Sequence, residues 1–193
     1  FDLFFSGVGR RTGAPSGVAR RGQDIESTLE ISLRDAYNGG KKQLSLQVED
    51  TCPRCHGTGT ERGRLCTECH GTGRVVTTKK FEVTIPRGVA DGQRIRLGGQ
   101  GGSGSPSGDL YLVVTLLDDP TYQRKGNDLY VDLPVSLYDL VLGSEVKVPT
   151  MSGPVSMKIP EGTQNNRLLR LAGKGMPNVK GKASGDQYVR LIG

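Results

Sequence analysis

Four short stretches of this chain are written twice, and that duplication limits the fold more than any other feature. Gly22-Gln-Asp-Ile25 and Ser32-Leu-Arg-Asp35 return 104 residues later as Gly126-Asn-Asp-Leu129 and Ser136-Leu-Tyr-Asp139, and Gly39 returns as Gly143. Ile85-Pro-Arg-Gly88 and Arg96-Leu-Gly-Gly-Gln-Gly101 return only 74 residues later, as Ile159-Pro-Glu-Gly162 and Arg170-Leu-Ala-Gly-Lys-Gly175. A self-similar chain folds as similar units set side by side. The two offsets differ by 30, so the first copy carries a surplus between Gly39 and Ile85. All four cysteines of the chain fall inside that surplus.

The surplus is itself a doubled phrase. Cys52, Cys55, His56, Gly57, Thr58 and Gly59 recur as Cys66, Cys69, His70, Gly71, Thr72 and Gly73, giving C-x2-C-x10-C-x2-C. Two thiolates on one tight turn grip a metal from one side, and two such turns supply the four ligands of a closed tetrahedral zinc site. The reading is one Zn²⁺ per chain, held by Cys52, Cys55, Cys66 and Cys69. Disulfides would need an oxidising compartment, and no signal peptide is visible. A redox C-x2-C belongs in a thioredoxin-like βαβ setting, which the pattern lacks. C-x-x-C-H also spells a haem attachment site, twice. Against haem, His56 and His70 are the only histidines, so no distal ligand remains, and the Gly-Thr-Gly tails have no role there.

The rest of each copy reads as short strands. Ile25, Leu29, Ile31 and Leu33 occupy odd positions, the alternation of a strand with one buried face, and Leu44, Leu46 and Val48 repeat it. Ser32 with Asp35 spells a capping box for a short helix that Gly39 ends. The expected fold is therefore mainly β: two similar small β-sandwich-like domains in tandem, mainly antiparallel, the first with an inserted zinc module. The expected divisions are a linker end at 1–21, a first β-domain at 22–116 with its insertion at 51–75, and a second β-domain at 117–193. Phe1, Phe4 and Phe5 sit in the linker among Gly, Ser and Arg without period. Gly98–Gly108 reads as a flexible loop, and Leu117-Asp-Asp-Pro120 as a hinge.

Several function classes drop out. No apolar run approaches the ~20 residues of a membrane helix. There is no P-loop and no G-x-S-x-G elbow, and with both histidines beside cysteines no His-based triad is available, so an enzyme is not expected. Gly99–Gly104 fits G-x-G-x-x-G but opens no helix. The net charge of +6 is spread without a basic run or basic–aromatic interleaving, which reads as a solvated surface. A zinc-ribbon nucleic-acid binder is the alternative reading.

Twin β-domains with a C-x-x-C-x-G-x-G module in the first resemble the C-terminal substrate-binding region of DnaJ-type co-chaperones. Asp119-Pro120 through Tyr122-Gln-Arg124-Lys-Gly126-Asn-Asp128-Leu and Gly173-Lys-Gly-Met-Pro177 resemble family signatures. The resemblance implies a heat-shock, protein-folding role: holding unfolded client polypeptides for a DnaK-type ATPase chaperone in the cytoplasm. It implies an apolar peptide groove lined by Ile25, Leu44, Leu46 and the ring of Tyr122. It further implies a homodimer formed through a segment not in this sequence. Members with four cysteine motifs hold two zinc ions. This chain has two motifs, which resemble the outer pair, with Thr60–Leu65 in place of the inner pair.

Overall fold

The computed structural model describes residues 21–104 and 106–193; the linker end expected over 1–21 lies outside the described residues except for Arg21. The chain forms β1 (Ile25–Ile31), α1 (Leu33–Asn38), β2 (Gly40–Thr51), β3 (Thr60–Glu61), β4 (Arg64–Leu65), β5 (Arg74–Ile85), β6 (Arg94–Leu97) and β7 (Leu110–Leu116). It continues with β8 (Tyr122–Lys125), β9 (Asp128–Pro134), α2 (Leu137–Leu142), β10 (Ser144–Val148), β11 (Val155–Ile159), β12 (Leu168–Leu171) and β13 (Gln187–Ile192). Neither six-residue helix is long and apolar enough to cross a membrane.

The duplication is now spatial. One repeat builds the sheet β1-β7-β6 and the hairpin β2-β5; the other builds β9-β13-β12, edged by β8, and the hairpin β10-β11. In each repeat a helix leads from the first strand to the hairpin. Both helices carry the expected capping box, Ser32 with Asp35 and Ser136 with Asp139, and both stop at a glycine of positive φ. Leu33 does not continue β1 as its parity suggested. It opens α1 and is buried there, because the capping box at Ser32 turns the chain first.

The sheets are mixed, where antiparallel ones were expected. β1 runs parallel to β7, with Ile25 beside Leu110 and Ile31 beside Leu116, and β9 runs parallel to β13 in the same way. Side-chain alternation gives a strand's buried face but not the direction of its neighbour. The helix and hairpin between the paired strands supply the long crossover that parallel pairing needs. One apolar cluster spans both repeats, with Ile31, Leu110, Leu112, Val114, Leu129, Ile159, Met176 and Leu191 essentially fully buried.

Each repeat is closed by the same carboxylate clip. Asp24 accepts a hydrogen bond from the Asp109 N–H, and Asp109 accepts from the Gly99 N–H and the Arg96 guanidinium, all at 2.8–2.9 Å. Asp128, Asp186, Gly173 and Arg170 repeat this set at 2.7–2.8 Å. The Gly99 and Gly173 N–H groups, with the arginines, hold the Asp109 and Asp186 carboxyls below the usual carboxylate range. The stretch expected as a flexible loop, Gly98–Gly108, is tied down by this clip. Gly102 N–H donates to Gln23 O at 2.7 Å and Gly22 N–H to Pro106 O at 2.9 Å. A Cβ at Gly108 would sit 2.1 Å from Gln23 O, so glycine is there for close approach.

The repeats meet at a junction that is bonded as well as packed. Arg124 of β8 donates to the carbonyls of Val89 and Gly88 at 2.6 and 3.0 Å, and to Gly126 O at 2.7 Å. Burial pulls its pKa down, and three carbonyls rather than a carboxylate receive it. The 117–120 connector lies beside this clamp, in a cleft shared by Leu33, Leu116 and Tyr122.

Candidate metal centre and apolar strip

The hairpin β2-β5 is a stalk of twelve residue pairs, Gly40 with Ile85 through Thr51 with Arg74. The cysteine module hangs from its far end. Its four Sγ atoms all lie within 4.8 Å of one another, and all four cysteines are buried and free. Cys52 and Cys66 Sγ are 3.8 Å apart, Cys55 and Cys69 Sγ 3.6 Å. Four sulfurs at 2.3 Å from a tetrahedral zinc stand about 3.8 Å apart, so this spacing fits the metal. It is far too long for a disulfide, whose sulfurs lie ~2 Å apart.

The two halves of the module match atom for atom. Gly59 N–H donates to Cys55 Sγ at 3.3 Å and Gly73 N–H to Cys69 Sγ at 3.2 Å. Thr58 and Thr72 hydroxyls each donate 2.7 Å to the carbonyl of the preceding cysteine. Cys52 N–H reaches Gly73 O and Cys66 N–H reaches Gly59 O, so each half caps the other. His56 and His70 take φ of 50° and 52° and stay exposed, outside the ligand set. Burial pushes the Cys55 thiol up, but donation from the Gly59 N–H and the thiols of Cys69 and Cys52 overrides it, leaving about 6. Backbone N–H groups at Cys55 and Arg54 favour the Cys52 thiolate, yet burial and the adjoining thiols raise that group to about 11. Contacting thiols titrate as a set, and a cation is what lets all of them ionise together. Between the two cysteine pairs, β3 and β4 close a small hairpin through Arg62 and Gly63, braced by Arg54 donating to Glu61 at 2.7 Å.

The four apolar candidates are not all in one place. Leu44 and Leu46 share one face of β2 beside Phe81, and Ile25 opens β1; all three are half-buried against the core. Ile25 also borders a cleft of about 500 Å³ with Val48, Thr51 and Arg74, at the module end of the stalk. Tyr122 lies apart. Ile25 and Leu116 mark opposite ends of the seven-residue β1–β7 ladder, about 20 Å apart at strand rise, and Tyr122 is on the Leu116 side. It is buried, 7% exposed, in the junction cleft. The Asp24–Asp109 and Asp128–Asp186 clips escaped notice in the sequence, although Gly-Asp recurs at 108–109 and 185–186, just before the last strand of each repeat, and could have revealed them.

A duplicated mixed-sheet unit, with four clustered thiols on a stalk in one copy only, defines a class of β-protein with a candidate structural metal centre. Residues 25–192 match the family described as the DnaJ C terminal domain, and the chain belongs to that family. Curated relatives named Chaperone protein DnaJ agree along almost the whole sequence. One from Listeria welshimeri serovar 6b is 33% identical over 235 residues, covering 98% of this chain and 62% of that protein. Another from Shouchella clausii is 33% identical, covering 99% and 63%. A third from Exiguobacterium is 35% identical, covering 100% and 64%. The chain therefore spans less than two thirds of these relatives. The aligned stretches are longer than the 193 residues here, so the relatives carry residues within the matched region that this chain lacks.

Proposed function

We propose that this chain is the polypeptide-holding part of a co-chaperone, which keeps unfolded clients in extended form for a DnaK-type ATPase chaperone. Residues 22–116 form the client-binding unit, 51–75 its zinc module, and 117–193 the companion unit. Ile25, Leu44 and Leu46 line the groove, and Cys52, Cys55, Cys66 and Cys69 hold one zinc ion whose work is to fold the module. The ring of Tyr122 contributes at the junction cleft rather than in the same strip. The full-length protein is a homodimer in the cytoplasm.

One observation carries the groove reading. The matching positions of the second repeat, Leu129, Val148 and Thr150, are 0%, 0% and 7% exposed, whereas Ile25, Leu44 and Leu46 remain half-open on the same scaffold. A fold that can bury these positions leaves them uncovered in one copy only. An extended client strand would gain backbone hydrogen bonds along β2, whose outer edge has no partner strand among the described residues, and a loose side-chain preference from the apolar strip.

The test is binding of a labelled, unfolded apolar peptide, with suppression of aggregation of a chemically unfolded protein as the second readout. Leu44→Ser with Leu46→Ser is expected to weaken peptide binding at least tenfold while the melting temperature falls less than in Leu29→Ser, a 3% exposed core position. A melting-temperature loss as large as that of Leu29→Ser would make them core residues and sink the groove.

A further inference from the structure

Of the nine large apolar side chains exposed among the described residues, four stand on the six residues of α2. They are Leu137, Tyr138, Val141 and Leu142, each 57–78% open. Single exposed apolar residues need no partner, but four on one short helix form a patch that does.

The first repeat shows what covers this helix. The offset of 104 sets α1 on α2 and Leu33 on Leu137. Leu33 is only 4% exposed. It shares a cleft with Leu117 and Tyr122, from the segment that follows β7. Leu117 N–H donates to Ile31 O at 2.9 Å, one residue before the Ser32 cap of α1. Tyr122, six residues past the end of β7, is buried. Burial and Asp119 raise its phenol while Arg34 of α1 opposes them, which sets the ring beside that helix. The residues that leave the last strand of this repeat therefore cover the helix of the same repeat.

In the second repeat the matching strand is β13. It runs to Ile192, and Gly193 lies against α2: its N–H donates to Asn165 Oδ1 at 2.9 Å, and a Cβ there would stand 2.8 Å from Leu140 Cδ1. The face reached is more apolar than its counterpart. Where α1 has Arg34 and Asn38, α2 has Tyr138 and Leu142. The curated relatives are longer than this chain, which covers 62% to 64% of them.

We propose that in the full-length protein the segment following β13 folds back across α2, as residues 117–122 fold across α1. Its bulky apolar side chains seat on Leu137, Tyr138, Val141 and Leu142. The occupant of this face is the protein's own chain, not a client, and the inference is independent of the groove.

The test compares the full-length protein with residues 1–193, both zinc-loaded, by hydrogen exchange at α2 and by thermal melts. The α2 amides are expected to exchange at least tenfold more slowly in the full-length protein, at every protein concentration. Leu137→Ser with Leu142→Ser should lower its melting temperature by about 5 °C or more, against about 2 °C at most in residues 1–193. Equal exchange in the two proteins overturns the proposal, and so does a double variant as mild in the longer protein as in the shorter. Protection that vanishes on dilution would place a second copy on α2 and overturn cover by the same chain. Peptide binding enters neither readout, so the groove and the cover of α2 fail separately.

Discussion

The metal module makes its sharpest prediction at three glycines that share one backbone conformation. Gly59, Gly73 and Gly63 all have φ near +75° (73°, 72° and 78°), so alanine pays the left-handed penalty at each. That penalty is about 1–2 kcal/mol per residue. The surroundings differ: a Cβ at Gly59 would stand 2.4 Å from Gly71 O, a Cβ at Gly73 2.4 Å from Gly57 O, and a Cβ at Gly63 would meet nothing within 4 Å. At 59 and 73 the obstacle is backbone from the other half, so the halves must part. Folding of such a module is metal binding, and a cost to the folded form is a loss of zinc affinity. Gly63→Ala is expected to weaken zinc binding roughly 5- to 30-fold, its conformational cost alone at a factor of ten per 1.4 kcal/mol. Gly59→Ala and Gly73→Ala are expected to add at least ~2 kcal/mol of separation, weakening it a further 30-fold or more. The assay is competition for zinc against a chromophoric chelator at neutral pH. Equal losses at all three glycines would show that close approach between the halves does not hold the site.

Other consequences can be checked together. Asp109→Asn should lower the melting temperature more than Asp186→Asn, because the Asp109 side chain is 7% exposed and that of Asp186 18%; thermal melts decide. Both carboxyls are held low in the fold, so their stabilisation is present above the unfolded value near ~3.9 and lost as pH falls through the folded value. The acid side of the stability profile should therefore flatten in Asp109→Asn, and an unchanged profile would count against the clip. Arg124→Met should loosen the junction, raising exchange at the Val89 and Gly126 turns without changing zinc content. Leu137→Ser and Leu142→Ser, at side chains 69% and 72% exposed on α2, should leave the melting temperature within about 2 °C.

What could be read from the residues followed how strongly chemistry fixes them. Metal coordination dictates both residue type and spacing, so Cys52, Cys55, Cys66 and Cys69 were identifiable, and the structure brings them together. The repeat was legible because its glycines and capping residues serve backbone geometry wherever they stand. The parallel course of β7 was not, since alternation is blind to a neighbour's direction. The tying of Gly98–Gly108 was hidden as well: glycine marks both loose chain and tight approach, and only the Gln23 backbone at 2.1 Å tells them apart. The resemblance grouped Tyr122 with Ile25, but the length of the β1–β7 ladder lies between the end at Ile25 and the cleft that Tyr122 lines.

The parallel pairing of each repeat's first and last strands bears on how the molecule carries tension. The chain enters a repeat at the start of β1 and leaves at the end of β7, the opposite end of the same seven-residue ladder. Pulled by its two ends, that pair is loaded in shear, and its hydrogen bonds share the force instead of yielding one at a time. β9 and β13 repeat the arrangement over six residue pairs. A load transmitted along the backbone therefore meets two shear clamps in series, with the zinc module hanging outside the line of force.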